Sequence, residues 1–366
     1  MNTLYALIMA GGGGTRLWPE SRVAFPKQFI NLFKERSLIQ IAYERIIPLI
    51  PPERVLIVTG QQYAEMAQEQ LPELPAENII AEPAGRNTAP AIGLGAIHLH
   101  RRDPAAVMAV LTADHMMRQE ETFRAALAAA HQVAQDGRIV TLGITPAGPE
   151  TGYGYIERGD RLDPLAGADG HVLFQVGRFR EKPDRATAEQ FVSSGRFYWN
   201  SGMFIWQVAT VLAEIARQLP DLYAALMELQ AVLDTPQEAE VTGRVWPAVR
   251  PVSIDYGVME NARNVVVLPV DPGWNDVGSW NAVYQESRRN SLSLPPDGNI
   301  VQGGELLTID TQGCLIRSKK LVTTVGLRDL VIVDTDDALF ICPLNRVQEA
   351  KTVVNRLKQS GQEAYL

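Results

Sequence analysis

Residues Ala10 to Gln28 read AGGGGTRLWPESRVAFPKQ and follow directly on the apolar run Leu4 to Met9. A short buried strand ending in four glycines lets a ligand approach the backbone without interference from Cβ atoms. Exposed N–H groups in such a loop cradle anionic oxygens. Arg16 and Lys27 bring two cations into the loop beyond, so the stretch predicts a polyphosphate ligand at the end of a first strand. The spacing excludes two common phosphate loops. A dinucleotide fingerprint starting at Gly11 or Gly12 needs glycine at 16 or 17, where Arg16 and Leu17 stand, and a P-loop needs a Gly-Lys dipeptide, which the chain lacks. A tight turn alone tolerates two glycines and does not demand four followed by Thr15 and Arg16.

Outward from the loop, strand-like runs (Leu4 to Met9, Arg54 to Thr59, Asn78 to Ala81, Val107 to Thr112, Ile139 to Leu142) alternate with segments of helical spacing (Leu38 to Ile47, Ala89 to His100, Glu121 to Ala134). This alternation predicts an α/β fold with a mostly parallel sheet covered by helices on both faces. Ligands of such sheets sit beyond the carboxyl ends of the strands, which is where Gly11 to Arg16, Glu82 to Pro90 and Ala113 to His115 fall. From about Gly152 the pattern changes to longer, glycine-punctuated strands separated by helices such as Ala186 to Ser194 and Val208 to Gln218. The stretch SLSLPPDGN, Ser291 to Asn299, has linker composition. Beyond it, short β segments broken by Gly303, Gly304, Gly313 and Gly326 predict a small β-solenoid, closed by a helix from Arg346 to Gln359.

The 366 residues, 46% apolar, suffice for one large domain and a smaller one. A net charge of -8 argues against broad nucleic-acid binding and concentrates attention on the cluster Arg16, Arg22 and Lys27. Cys314 and Cys342 form no metal spacing and read as small core residues of a reducing compartment. No apolar run approaches the length of a membrane span and Leu4 to Ala10 lacks a basic leader, so a cytoplasmic protein without membrane partners is expected.

Several polar residues are candidates for chemistry. Asp114 in LTADH serves equally as a turn cap or a metal ligand, and Asp276 in GWNDVGSW supplies a second carboxylate after the strand Val265 to Val270. Magnesium takes one or two protein carboxylates and completes its shell with phosphate and water. EPAGRNTAP, Glu82 to Pro90, suits reading a base edge, while Asn87 or Thr88 equally suits an N-cap. Gly154 in TGYGYI allows close ligand approach, although aromatic-glycine alternation is ordinary strand material. Glu181 and Lys182 in FREKPD read, in isolation, as a surface pair. Asn200 in WNSGMF and Asp255 in SIDYGVME are polar residues in apolar strands, suited to sugar hydroxyls or, each taken alone, to satisfied burial. The five histidines form no triad, and a sugar phosphate needs none, since it is already an anionic nucleophile.

Taken together, GGGGTRLWPESR, PKQF, EPAGRNTAPA, ADH, TGYGYI, EKP, WNSGMF, SIDYGVME and DVGSW closely resemble the mannose-1-phosphate guanylyltransferases of the sugar-nucleotidyltransferase family, in order from residue 7 to about 285. The resemblance implies a Rossmann-like mixed, mostly parallel sheet in a catalytic domain over 1–290. Over 291–366 it implies a β-rich, left-handed β-helix-like domain ending in a helix. It implies that GTP and mannose 1-phosphate, with Mg2+, give GDP-mannose and pyrophosphate. Arg16 would hold the leaving pyrophosphate, Lys27 the reacting phosphates, and Asp114 and Asp276 the metal. Gly11, Gly12, Gly13, Thr15, Glu82, Asn87 and Thr88 would face the nucleotide. Gly154, Glu181, Asn200 and Asp255 would face mannose, with Lys182 on its phosphate. Glu20, Thr112, Arg180 and Asn261 depart from the family pattern without removing any of these residues.

The chain ends without the isomerase domain of longer relatives, so a single activity is expected, in a homodimer joined through the C-terminal unit. The competing readings keep the chemistry with another sugar 1-phosphate, such as glucose or heptose, or another nucleoside triphosphate, or make the chain a silent nucleotide-sugar sensor. An NAD-linked oxidoreductase is disfavoured by the failed glycine spacing.

Overall fold

The computed structural model describes residues 3–12, 14–33, 35–162, 170–290 and 295–366. Its strands in chain order are β1 (Leu4–Met9), β2 (Val55–Gly60), β3 (Ile79–Glu82), β4 (Val107–Thr112), β5 (Met116–Met117), β6 (Ile139–Ile144), β7 (Gly154–Arg161), β8 (Phe174–Glu181), β9 (Phe197–Gln207), β10 (Val265–Val270) and β11 (Trp274–Asn275). A C-terminal set follows: β12 (Ile300–Gly303), β13 (Leu306–Ile309), β14 (Leu315–Ser318), β15 (Val322–Val325), β16 (Leu330–Asp334) and β17 (Leu339–Pro343). The chain forms two compact units. One comprises Met1–Gly11, Ala42–Ala113 and Met117–Trp274, the other Gly12–Ile41, Asp114–Met116 and Asn275–Leu366.

In the first unit, the described residues form a nine-stranded sheet of order β3-β2-β1-β4-β9-β6-β10-β8-β7. The runs LYALIM and VMAVLT are almost wholly buried because both faces of this region are covered, which removes the in-out alternation of a one-sided sheet. β1 lies parallel to β2 (Ile8↔Ile57) and to β4 (Ile8↔Leu111). The sheet becomes mixed where the long strand β9 runs antiparallel between β4 (Ala109↔Ile205) and β6 (Val140↔Ile205). Helices Thr88–Arg102 and Val208–Gln218 bury Ile92, Ile97, Val211 and Ile215 in the core of this unit. Phe204 and Trp206, two apart on β9 and therefore on one face, stack within that core at 5.3 Å. Burial of each such side chain contributes ~1.5–3 kcal/mol.

In the second unit, β12, β14 and β16 stack in parallel (Ile300↔Leu315↔Val331), and β13 and β15 form a second parallel ladder (Leu306↔Val322). Successive coils thus lie one on another as in a solenoid, until β17 pairs antiparallel with β16 and ends the stack. Cys314, Ile316 and Ile332 fill its interior. The opposite face, Leu315, Val331, Val333 and Phe340, shares a core with Leu17, Trp18, Ile30 and Leu32 of the glycine-loop segment and with Trp280 and Val283. The closing helix begins later than its periodicity predicts. Leu344–Glu349 is a 3-10 helix, across which Arg346 reaches forward to both oxygens of Glu349 (2.6 and 2.7 Å), and the α-helix covers Ala350–Gln359. Of the expected linker, residues 291–294 lie outside the described residues, and Gly298 N donates to Pro295 O (2.8 Å) in a turn that completes it. Among the described residues no helix is long and apolar enough to cross a membrane.

Candidate active site

The second unit assembles the expected phosphate and metal ligands. Gly14 adopts φ 52° before the 3-10 turn Thr15–Leu17, and a Cβ there would stand 2.6 Å from Cβ of Lys27, so the loop closes over Lys27 only with glycine at this position. Lys27 is buried, and its Nζ donates to Asp114 Oδ2 (3.0 Å) and to the Asp276 carbonyl oxygen (2.7 Å). One ammonium therefore ties the ADH and DVGSW motifs together. Burial works to raise the Asp114 carboxyl, but Lys27 and then His115, 3.8 Å away, outweigh it and hold the group below its ordinary value. Although surrounded by protein, Asp114 keeps 37% of its side-chain surface open, and this accessibility decides that a ligand can reach it.

Asp276 Oδ1 accepts from Gly278 N (3.1 Å), and Nη1 of the exposed Arg16 lies 3.1 Å from where a Cβ of Gly278 would stand. Between them, Val277 is fully buried at φ 47°, a left-handed conformation that a β-branched residue adopts only when its surroundings impose it. Lys27 brings the backbone of Asp276 to the Asp114 carboxylate, and the Asp276 carboxylate lies on the Gly278 side near Arg16, so hard oxygen donors and cations fall in one unit. Such a set suits a divalent cation that shares its shell with phosphate oxygens. Among the described residues no group of three or more His, Cys, Asp or Glu forms a protein-only metal cage.

The first unit gathers the expected sugar-facing residues, which are far apart in the chain. Asn200 Nδ2 donates to Asp255 Oδ1 (2.7 Å), and Gly202 N donates to Asn200 Oδ1 (3.0 Å). A Cβ on Gly154 would strike the Glu181 carboxylate and stand 3.2 Å from Asn200 Cβ, so Gly154, Glu181, Asn200 and Asp255 share one small space. Burial first, and then the Glu181 charge, raise the Asp255 carboxyl, while the Asn200 donor opposes them. Asp255 is not on a strand as its apolar neighbours suggest. It sits in the one-turn helix Ile254–Gly257, because the Ser253 side chain caps that turn at Tyr256 N (3.3 Å). Lys182 Nζ meets Glu181 Oε1 (2.6 Å) and is 62% exposed, which leaves its ammonium accessible to an anion. Its backbone is held at φ 45°, with its N–H on Tyr153 O (3.2 Å).

The EPAGRNTAP segment is anchored in the same unit. Val252 N donates to Arg86 O (3.2 Å), Ala89 N to Val252 O (3.1 Å) and Ile254 N to Thr88 Oγ1 (2.8 Å), which joins this loop to the turn bearing Asp255. Asn87 acts as the N-cap of helix Thr88–Arg102, its Oδ1 accepting from Thr88 N (2.8 Å) at φ 71°. Glu82 ends β3 almost fully buried, its Oε1 has no hydrogen-bond partner, and burial pushes its carboxyl up to about 7.

Of the expected residues, Gly12, Thr15, Arg16, Lys27, Asp114 and Asp276 fall in the second unit. Gly11, Glu82, Asn87, Thr88, Gly154, Glu181, Lys182, Asn200 and Asp255 fall in the first. Gly13 lies outside the described residues. Sequence reasoning missed the aromatic cluster Tyr153, Trp199 and Trp274, with centroids 5.1, 5.2 and 6.2 Å apart. Tyr153 and Trp199 immediately precede Gly154 and Asn200, a signal that was available.

Residues 5–291 match the family model described as Nucleotidyl transferase, and residues 304–357 that of the MannoseP isomerase/GMP-like beta-helix domain. The chain is 40% identical over 368 residues to a mannose-1-phosphate guanylyltransferase of Escherichia coli (strain K12), covering 99% of this chain and 75% of that protein. It is 42% identical to mannose-1-phosphate guanylyltransferase ManC of Salmonella typhimurium, with the same coverage. Xanthan biosynthesis protein XanB of Xanthomonas campestris is 37% identical, covering 99% of this chain and 74% of that one. Among solved structures, the one titled mannose-1-phosphate geranyltransferase, from Thermus thermophilus, superposes with a TM-score of 0.85 at 35% identity, covering 97% of this chain and 99% of the other.

Proposed function

This chain belongs to the nucleotidyl transferase family, and we propose that it is a mannose-1-phosphate guanylyltransferase that forms GDP-mannose and pyrophosphate from GTP and mannose 1-phosphate. The observation that carries this reading is Lys27, whose ammonium joins the Asp114 carboxylate to the Asp276 carbonyl in the unit that also holds Arg16. Curated relatives named for the same activity over nearly the whole chain support it.

In the proposed reaction a phosphate oxygen of mannose 1-phosphate attacks the α-phosphorus of GTP. A new P–O bond forms, the bond to the bridging oxygen of the β-phosphate breaks, and pyrophosphate leaves with the electron pair. No side chain has to remove a proton from this nucleophile. Lys27 neutralises the reacting phosphates, and Arg16 receives the charge that develops on the leaving group. Gly11, Gly12 and Thr15 line the phosphates, while Glu82, Asn87 and Thr88 face the nucleotide. Glu181, Asn200 and Asp255 pair with sugar hydroxyls, Gly154 leaves them room, and Lys182 meets the sugar phosphate. Asp114 and Asp276 fit a divalent cation, magnesium in this reading, which when bound neutralises phosphate charge.

The test is pyrophosphate release with each nucleoside triphosphate against a panel of sugar 1-phosphates. GTP with mannose 1-phosphate is expected to give the highest kcat/KM, and chelation of divalent cations to abolish turnover. Preference for another pair overturns the substrate assignment, and no release with any pair overturns the activity.

A further inference from the structure

The segment that presents Arg16 and Lys27 is fastened, within its own unit, to the C-terminal solenoid and tail. Arg317 on β14 pairs with Glu20 and also donates to Asn31 O (2.8 Å) and Gln302 Oε1 (2.9 Å). Arg22 forks onto Asp337 through both terminal nitrogens (2.7 and 2.6 Å) and donates Nε to Pro19 O (2.8 Å). Trp18 Nε1 donates to Tyr365 O (2.7 Å), and Gln302 Nε2 to Leu32 O (2.8 Å). Between these ties, Leu17, Trp18, Ile30 and Leu32 are buried against solenoid residues, with Trp18 edge-on to Phe340 at 5.9 Å.

We infer that the C-terminal β-solenoid is a positioning element for nucleotidyl transfer, with Arg317, through Glu20 and Asn31, and Asp337, through Arg22, orienting the loop that carries Arg16 and Lys27. The inference rests on the reading of those two cations as phosphate ligands. Glu20 and Arg22 lie in the chain between Arg16 and Lys27, so both ties act on the stretch whose geometry matters. An isolated surface pair holds little. These pairs differ in geometry. Arg317 satisfies three acceptors at once at 19% exposure, and the Arg22 fork fixes the planes of both groups. Displacing reacting groups by about 1 Å costs roughly a hundredfold in rate, so loosened ties reach kcat before they reach folding.

The test compares Arg317→Gln, Asp337→Asn, Asp337→Glu and the double variant Arg22→Gln with Asp337→Asn. The control is Lys320→Gln, which removes a solenoid ion pair with Asp334 (3.0 Å) that does not touch the loop. Arg317→Gln and Asp337→Asn are expected to lower kcat for pyrophosphate release at least about tenfold, with KM for mannose 1-phosphate within about twofold, in variants that remain folded, the melting temperature nearly unchanged in Asp337→Asn and lowered by a few degrees in Arg317→Gln, which leaves Glu20 unpaired. The double variant, which also loses the Arg22 tie to Pro19 O, should fall at least as far as Asp337→Asn, Asp337→Glu should recover most of the loss, and Lys320→Gln should match the wild type. Unaltered kcat in folded variants, or an equal loss in Lys320→Gln, overturns the inference. Amide exchange over residues 14–32 gives a readout independent of activity. It should accelerate in Arg317→Gln, and unchanged protection overturns the inference even if the wild type proves inactive, the outcome that defeats the proposed function instead.

Discussion

Replacing Glu82 by Gln tests whether a group held at the end of β3 against its own stability serves a ligand. The carboxyl is 6% exposed with Oε1 unpartnered, and burial raises it from 4.5 to about 7, opposed only by the Arg86 backbone N–H. Because its folded value lies above its ordinary one, its contribution to stability is fully present below about pH 4.5 and is lost as pH rises through about 7. A rise from 4.5 to about 7, at ~1.4 kcal/mol per unit, comes to ~3 kcal/mol of destabilisation at pH 8. Glutamine keeps the shape and an acceptor for Arg86 N without the charge. Denaturant titrations at a series of pH values should therefore show Glu82→Gln ~3 kcal/mol more stable than the wild type at pH 8 and nearly equal to it near pH 4.5. Parallel stability curves for the two proteins would refute the reasoning. The same variant should bind nucleotide more weakly, since a substitution that stabilises and disables together marks a group kept for function.

Asp276→Asn should lower turnover by a factor of a hundred or more while leaving circular dichroism unchanged, and near-normal turnover would sink the assignment of this carboxylate to the metal. Gly154→Ala places a methyl group against the Glu181 carboxylate and 3.2 Å from Asn200 Cβ. It should raise KM for the sugar phosphate at least tenfold and destabilise the fold by ~1–3 kcal/mol, both readable from one purified variant. Asn200→Ala removes the donor that opposes the upward shift of Asp255, so the pH profile of sugar-phosphate KM should move to higher pH; an unmoved profile would remove Asp255 from the sugar site.

Much of this architecture was legible in the chain because it depends on neighbours in sequence. The run Leu4 to Met9 is a strand for local reasons, and the glycines after it, with Arg16 and Lys27, point to phosphate without reference to anything distant. The solenoid was readable from short β segments at close spacing, and an N-cap at Asn87 or Thr88 from their place before a helical pattern, which the structure resolves to Asn87. The apolar neighbours of Asp255 are compatible with a strand. Ser253 capping a single turn decides otherwise, and a cap of one turn leaves no periodic trace.

By itself the sequence determined the elements, the glycine loop and the residue types available for chemistry, since propensity, periodicity and glycine spacing act over a few residues. Only the tertiary structure decided which of them meet. Lys27 reaches Asp114 and Asp276 from 87 and 249 residues away, Asn200 finds Asp255 across 55, and Glu20 finds Arg317 across 297. Such pairings follow from strand order and from which faces share a core, and these are set by burying apolar surface over the whole chain rather than by any local pattern.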